Sequence, residues 1–324
     1  MQVQSVAQSI KESVQQVVYG HSEAIDYITG AFLLGGHVLI EGPPGIAKTL
    51  LVKTFAASLG LKFKRIQFTP DLMPADVTGV SIFDRETNTF RFVPGPVFAD
   101  VLLADEINRT PPKTQSALLE AMQERSVTVD GAEHSLSDNF FVLATQNPIE
   151  HEGTFPLPEA QLDRFLFKLI LSYPGKDDEL KMIERFSSGT GEDLNSFDAV
   201  NEIKSEVSLE DIRRARQEIR QVLMSAAISD YIYRIVEASR SHPLVILGAS
   251  PRAALNLALA AKMKAAFDGR GYVIPDDVKE VAYNVLIHRL VTRTDLLEES
   301  YEASGVIEQI ITKTPLPQGE LRTA

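Results

Sequence analysis

The chain has 324 residues, 44% hydrophobic and 23% charged, with a net charge of −12 and no cysteine. That length suits about two ordinary domains at roughly 150 residues each, and the missing cysteines exclude disulfides, thiolate catalysis and cysteine-ligated zinc. The acidic balance argues against nucleic acid as the main partner, because basic side chains that neutralise phosphates supply most of that affinity.

The N-terminal MQVQSVAQSIKESVQQVVYG mixes polar and apolar residues at helical spacing and lacks the solid apolar centre of a signal peptide. No apolar run approaches the ~18 to 20 residues needed to cross a bilayer, so a cytoplasmic protein with no membrane span is expected. The runs HVLIEG, LKFKRIQF, VLLADE, FFVLATQN and RFLFKLILS concentrate apolar and β-branched residues between turn signals and predict strands. Near-continuous hydrophobicity suggests strands covered on both faces, as in a parallel sheet. KTLLVKTFAASLG and TQSALLEAMQER predict helices between them, and the alternation predicts an α/β, doubly wound sheet flanked by helices. Two stretches break the pattern. Gly79 to Phe98 reads as a hairpin around a polar ETN, and Ser126 to Leu136, with Asp130-Gly131 at its centre, reads as a second.

At SYPGKDDE (Ser172 to Glu179) the pattern changes. A Gly/Ser-rich SSGTGEDLNS follows, then almost only helical periodicity. ASPRAALNLALAAKMKAAF opens with Ser250 as an N-cap and Pro251 at the first helical position. IPDDVKEVAYNVLIHRL repeats the proline-and-acid start. An α/β domain over 1–172, a hinge over 173–200 and a smaller all-helical domain over 201–324 are expected. The histidines (His21, His37, His134, His151, His242, His288) share no helical i, i+3 or i+4 spacing and read as surface or loop residues, not metal ligands. The basic RRARQEIR from Arg213 alternates with Glu218 and apolar positions, as on a solvated helix face.

The chemistry starts at GPPGIAKT. A strand enters a tight turn that opens into a helix, so free backbone N–H groups and the positive helix end converge on one point. Gly42 and Gly45 let the backbone curl around phosphates, Lys48 can reach the β- and γ-phosphates, and Thr49 can offer its hydroxyl to Mg2+. Pro43 and Pro44 stiffen the turn. Ala47 stands where the usual pattern has a second glycine, and ordinary helical dihedrals are expected to suffice there.

VLLADE is an apolar strand ending in two carboxylates. Asp105 can hold the Mg2+ shell, usually through water. Glu106 can orient and polarise the attacking water. FFVLATQNP ends another strand in polar residues, and Asn147 would reach towards the γ-phosphate or the water; an Asn-Pro turn residue is the alternative. Arg164 could stabilise transition-state charge at a neighbouring subunit's nucleotide, or simply pair with Asp163. Arg252 lies in the first turn of its helix, where the macrodipole disfavours a cation. A bound phosphate or an exposed carboxylate would offset that.

Together these residues resemble the MoxR family of AAA+ ATPases over nearly the whole chain. GPPGIAKT matches Walker A, LLADEINRTPPKTQSALLEAMQE Walker B with its following helix, ATQNPIEHEGTFPLPEAQLDRF sensor 1 and the arginine finger, and GASPRAAL sensor 2. QFTPDLMPADVTG and the two hairpins are also similar to this family. The resemblance implies a P-loop NTPase core followed by an all-α lid, with ATP and Mg2+ as cofactors. It implies hydrolysis at the subunit interfaces of a homo-oligomeric ring, commonly a hexamer. Glu106, Asn147, Arg164 and Arg252 would be catalytic, with Thr49 and Asp105 at the metal; Arg109 and Arg125 stay open as alternative fingers. The cradle would be Gly42, Pro43, Pro44, Gly45, Ile46, Ala47, Lys48, Thr49 and Leu50. VVYGHSEAI looks like the adenine-holding segment, with Val18, Tyr19 and Gly20 against the base. The implied work is chaperone-like remodelling or activation of client proteins, often ones with a von Willebrand factor A domain, with the hairpins as client contacts. A nucleotide-dependent nucleic-acid motor is the alternative, since helicase relatives carry similar insertions; the acidic balance favours the first.

Overall fold

The computed structural model describes residues 2–147, 153–187, 200, 203, 205, 207–293 and 303–317. The chain divides into two compact units, one of Ser9–Arg164 with Leu169–Ser208 and the other of Met1–Gln8, Phe165–Lys168 and Leu209–Ala324.

In chain order come α1 (Gln2–Gln15), α2 (Ser22–Leu34), β1 (Val38–Glu41), α3 (Lys48–Ser58), β2 (Phe63–Gln67), α4 (Pro74–Thr78), β3 (Gly79–Asp84), β4 (Thr89–Pro94) and β5 (Val101–Asp105). There follow α5 (Pro112–Glu124), β6 (Ser126–Val129), β7 (Ala132–Ser135), β8 (Phe141–Gln146), α6 (Glu159–Leu162), β9 (Phe167–Ile170) and α7 (Lys176–Ser187). The sheet order is β2-β5-β8-β1-β9, with β2–β5, β5–β8 and β1–β8 parallel. The three central strands are buried almost throughout, as their unbroken apolar runs predict. β2 differs: it is an edge strand, and Arg65 and Gln67 are exposed on one face while Ile66 is buried. Both expected hairpins form, β3 on β4 and β6 on β7. The flat rings of Phe92 and His134 stack at 4.0 Å between them.

Under the sheet, Phe32, Phe55 and Phe141 pack edge-on or tilted at 5.6 to 5.9 Å. Each buried ring contributes roughly 1.5 to 3 kcal/mol. His37 and His288 depart from the expected surface or loop positions, for both are buried. The reason is backbone satisfaction. His37 Nδ1 accepts the Val142 N–H at 3.0 Å, which leaves Nε2 protonated to face the Met122 carbonyl at 3.3 Å. One neutral imidazole thus links the start of β1 to β8 and α5, and burial pushes its pKa down to about 4.

The second unit holds α8 (Leu209–Gln221), α9 (Ala226–Ser241), β10 (Val245–Leu247), α10 (Pro251–Phe267), α11 (Pro275–Leu286), β11 (Val291–Thr292) and α12 (Ala303–Lys313). From Leu209 on, the described residues of this unit are helical apart from the short antiparallel pair β10–β11 and a bridge between Leu223 and Tyr272, details that helical periodicity did not suggest. Ser250 caps α10 as expected, its hydroxyl accepting the Ala253 N–H at 3.2 Å. At α11 the buried Asp277 reaches back to the Ile274 N–H at 2.8 Å and pairs with Arg270. Within the stretch expected as a hinge, residues 176–187 form α7. The Gly/Ser-rich 188–196 lie outside the described residues.

Candidate nucleotide site

β1 ends at Glu41 and α3 begins at Lys48, so residues 42–47 form the loop between them. Gly45 has φ 82°, a turn that glycine adopts without strain. Gly42 is glycine for another reason: a Cβ there would lie 2.6 Å from the Leu171 carbonyl and 2.8 Å from Ile46 Cδ1. Ala47 corrects the expectation of ordinary helical dihedrals, because it sits at φ 62°, ψ 27°, in the left-handed region. The chain must reverse there to enter α3, and the Ala47 carbonyl accepts the Leu51 N–H at 2.9 Å. Alanine in that conformation costs about 1 to 2 kcal/mol.

As the residue that caps α3, Ala47 offers no side-chain acceptor. The first-turn N–H groups, which have no intrahelical partner, therefore point at the loop with no side chain capping them. An anion fits that end of the helix. Lys48 Nζ donates to the Gly42 carbonyl at 2.7 Å. Burial lowers the Lys48 pKa, opposed by the charges of Asp105, Glu106 and Glu41. Pro43, Thr49 and Leu50 are half-buried, Pro44 is exposed and Ile46 is buried beside them.

β5 delivers the acidic pair. Thr145 on the adjacent β8 donates to Asp105 Oδ1 at 2.5 Å, and its hydroxyl oxygen accepts the Glu106 N–H at 2.9 Å. Glu106 is held at φ 57°, off the line of its strand. Its Oε2 accepts from Gln67 Nε2 at 2.6 Å and from Arg109 Nη1 at 3.1 Å. Arg65 reaches Asp105 Oδ2 with Nη2 at 2.7 Å and Nε at 3.1 Å. The donors are hydroxyl and carboxylate oxygens, the hard set that suits Mg2+. Sequence reasoning missed Thr145, Arg65 and Gln67; of these only Thr145 stands as a polar residue near the end of an apolar strand.

The structure brings Lys48, Asp105 and Glu106 within electrostatic reach of one another. Asn147, buried, directly follows β8, two residues past Thr145. Gly20, at φ 75°, lies against Pro174 and Asp178 at the start of α7, next to buried Val18 and half-buried Tyr19. Arg164 is half-buried between α6 and β9. Arg125 closes α5 and donates to the carbonyls of Gly35 and Asp138 at 2.9 and 3.2 Å. Arg252 is exposed in the first turn of α10, in the helical unit.

A strand-loop-helix turn with an uncapped helix start, a parallel sheet with an acidic pair at the end of the next strand but one, and a helical unit after it define an AAA+ ATPase domain followed by its lid. The family described as "ATPase family associated with various cellular activities (AAA)" matches residues 37–167, and the AAA lid domain matches 237–310. "Chaperone MoxR1" of Mycobacterium tuberculosis is 43% identical over 314 residues, covering 94% of this chain and 81% of that protein. "Protein MoxR" of Methylorubrum extorquens is 30% identical over 323 residues, covering 91% and 89%. The crystal structure of a candidate ATPase from Cytophaga hutchinsonii superposes with a TM-score of 0.87 at 41% identity, covering 98% of this chain and 96% of that one. The chain belongs to the MoxR family of AAA+ ATPases. Among the described residues no helix is long and apolar enough to cross a membrane.

Proposed function

We propose that this ATPase hydrolyses ATP with Mg2+ at the interfaces of a homo-oligomeric ring and uses the energy to remodel or activate client proteins. The observation that carries the proposal is the convergence of the Lys48 amine with the Asp105 and Glu106 carboxylates at one end of the sheet, where β1 and β5 both finish on either side of β8. Lys48 and the uncapped start of α3 would hold the phosphates, while Thr49 and Asp105 would hold the metal. Mg2+, when bound, supplies charge neutralisation at the β- and γ-phosphate oxygens. Glu106 would accept a proton from the attacking water, and Asn147 would fix that water's position. Val18, Tyr19 and Gly20 would pack on the adenine. Arg164 would reach a neighbouring subunit's nucleotide, and Arg252 would meet a phosphate from the lid.

Chaperone-like work follows from the relatives' names, and a von Willebrand factor A protein is the client class we propose. A cytoplasmic location is part of the same reading. The test is the ATPase rate per subunit against protein concentration for wild type, Glu106→Gln and Arg164→Ala. A rate that climbs with concentration and collapses in both variants is expected. A rate independent of concentration and indifferent to Arg164→Ala would remove the shared-site ring.

A further inference from the structure

Alternation along β2 puts Arg65 and Gln67 on one face of the edge strand, and the register sets Gln67 beside Asp105. Arg65 has two attachments. Its Nε and Nη2 both donate to Asp105 Oδ2, and Nη2 also donates to Gln67 Oε1 at 2.7 Å. That second bond fixes which way the Gln67 amide faces. With Oε1 held by Arg65, the Nε2 must point away, and it donates to Glu106 at 2.6 Å. A hydrogen-bonded chain thus runs Thr145–Asp105–Arg65–Gln67–Glu106–Arg109, with cations at two of its links.

We infer that Arg65 is a positioning residue that orients both carboxylates at once and sets the Mg2+ requirement of the reaction. The inference rests on the ATPase reading above. A carboxylate offers about four lone-pair sites. Thr145 occupies one on Asp105 and Arg65 two, so about one remains, in a fixed direction, for a metal-bound water. The guanidinium also offsets the carboxylate charge, since Asp105 is 13% exposed in its side chain and Arg65 is its ion-pair partner. Arg65 therefore trades metal affinity for alignment. Lysine at this position could keep the charge near Asp105, but a single ammonium lacks the planar fork that spans Asp105 and Gln67.

The experiment compares wild type, Arg65→Gln, Arg65→Lys and Gln67→Ala, with thermal unfolding to confirm that each folds. Arg65→Gln should lose about 10- to 100-fold in kcat, the scale for a residue that orients a metal-holding carboxylate, with KM for ATP little changed. Its half-saturating Mg2+ concentration should fall severalfold. Arg65→Lys should restore the Mg2+ requirement and not kcat. Gln67→Ala should lower kcat and leave the Mg2+ requirement alone. The readout free of turnover is a Mg2+ titration of a fluorescent ATP analogue, comparing Glu106→Gln with Glu106→Gln/Arg65→Gln. Wild-type kcat and Mg2+ requirement in Arg65→Gln would overturn the inference, as would full recovery of kcat by lysine. If the wild type turned over no ATP, the ATPase reading would fall. The Mg2+ titration would still decide whether Arg65 governs the metal.

Discussion

His37 makes the fold sensitive to acid, and the size of the effect follows from its surroundings. Its folded pKa is about 4 against 6.5 for a free imidazole, because burial penalises the cation and Arg125 adds a smaller like-charge effect against the bond to Met122. The sign is fixed by where the proton goes. Well above pH 6.5 neither state is protonated and His37 causes no pH dependence. Between 6.5 and about 4 the unfolded chain takes up a proton that the folded chain refuses, so stability falls with pH. Over that gap of about 2.5 pH units, at about 1.36 kcal/mol per unit, the loss approaches roughly 3 kcal/mol. His37→Gln removes the titration and can still offer an amide to the Val142 N–H or the Met122 carbonyl. Urea unfolding of both proteins from pH 7.5 to 4.5 should show the wild type losing stability more steeply, with the two curves converging as pH falls. His288, also held neutral by burial, titrates in both proteins and cancels in the comparison. Parallel curves would refute the buried neutral imidazole.

The remaining predictions concern the loop and the hairpins. Ala47→Gly should relieve about 1 to 2 kcal/mol of left-handed strain and lose about 0.5 to 1 to glycine's freedom in the unfolded chain, so a modest rise in thermal midpoint is expected. A clear fall would contradict the strain. On the β3–β4 hairpin Phe90 is 74% and Phe83 50% exposed, their rings paired at 5.4 Å. Deleting Glu86 to Asn88 at its tip should spare basal hydrolysis and impair client remodelling; undiminished remodelling would show that this hairpin does not touch clients.

The elements were legible wherever burial acts on both faces of a strand. Val101 to Asp105 and Phe141 to Gln146 cannot alternate, because helices cover both sides, and their unbroken apolar runs say so. The same criterion misjudged LKFKRIQF. It forms a strand, yet it lies at the sheet edge, and its polar Arg65 and Gln67 serve the site rather than solvent alone. Hairpin turns were legible because Asp130-Gly131 carries its dihedrals in its residue types, at φ 49° and 81°. Histidine burial was not, since nothing adjacent to His37 in sequence reveals that Val142 and Met122 will supply its partners.

The site's side chains divide along the same physical line. Lys48, Asp105 and Glu106 announce themselves by position after apolar strands, where a polar residue has no packing role. Their holders do not, because Arg65 and Asp105 are 40 residues apart and Thr145 is 40 beyond Asp105. What joins them is strand order, with β5 between β2 and β8, and order is set by the crossovers of the whole chain. Backbone strain is hidden in a similar way. Ala47 and Glu106 are both left-handed without being glycine or asparagine, one at each side of the proposed phosphate site. Such conformations cost about 1 to 3 kcal/mol each and persist where surrounding contacts over-determine them. The Ala47 carbonyl bond to Leu51 and the Thr145 grip on the Glu106 N–H are contacts of that kind. Thr145 therefore has two duties, aligning Asp105 and holding Glu106 out of its strand, and neither could be assigned before the sheet was assembled.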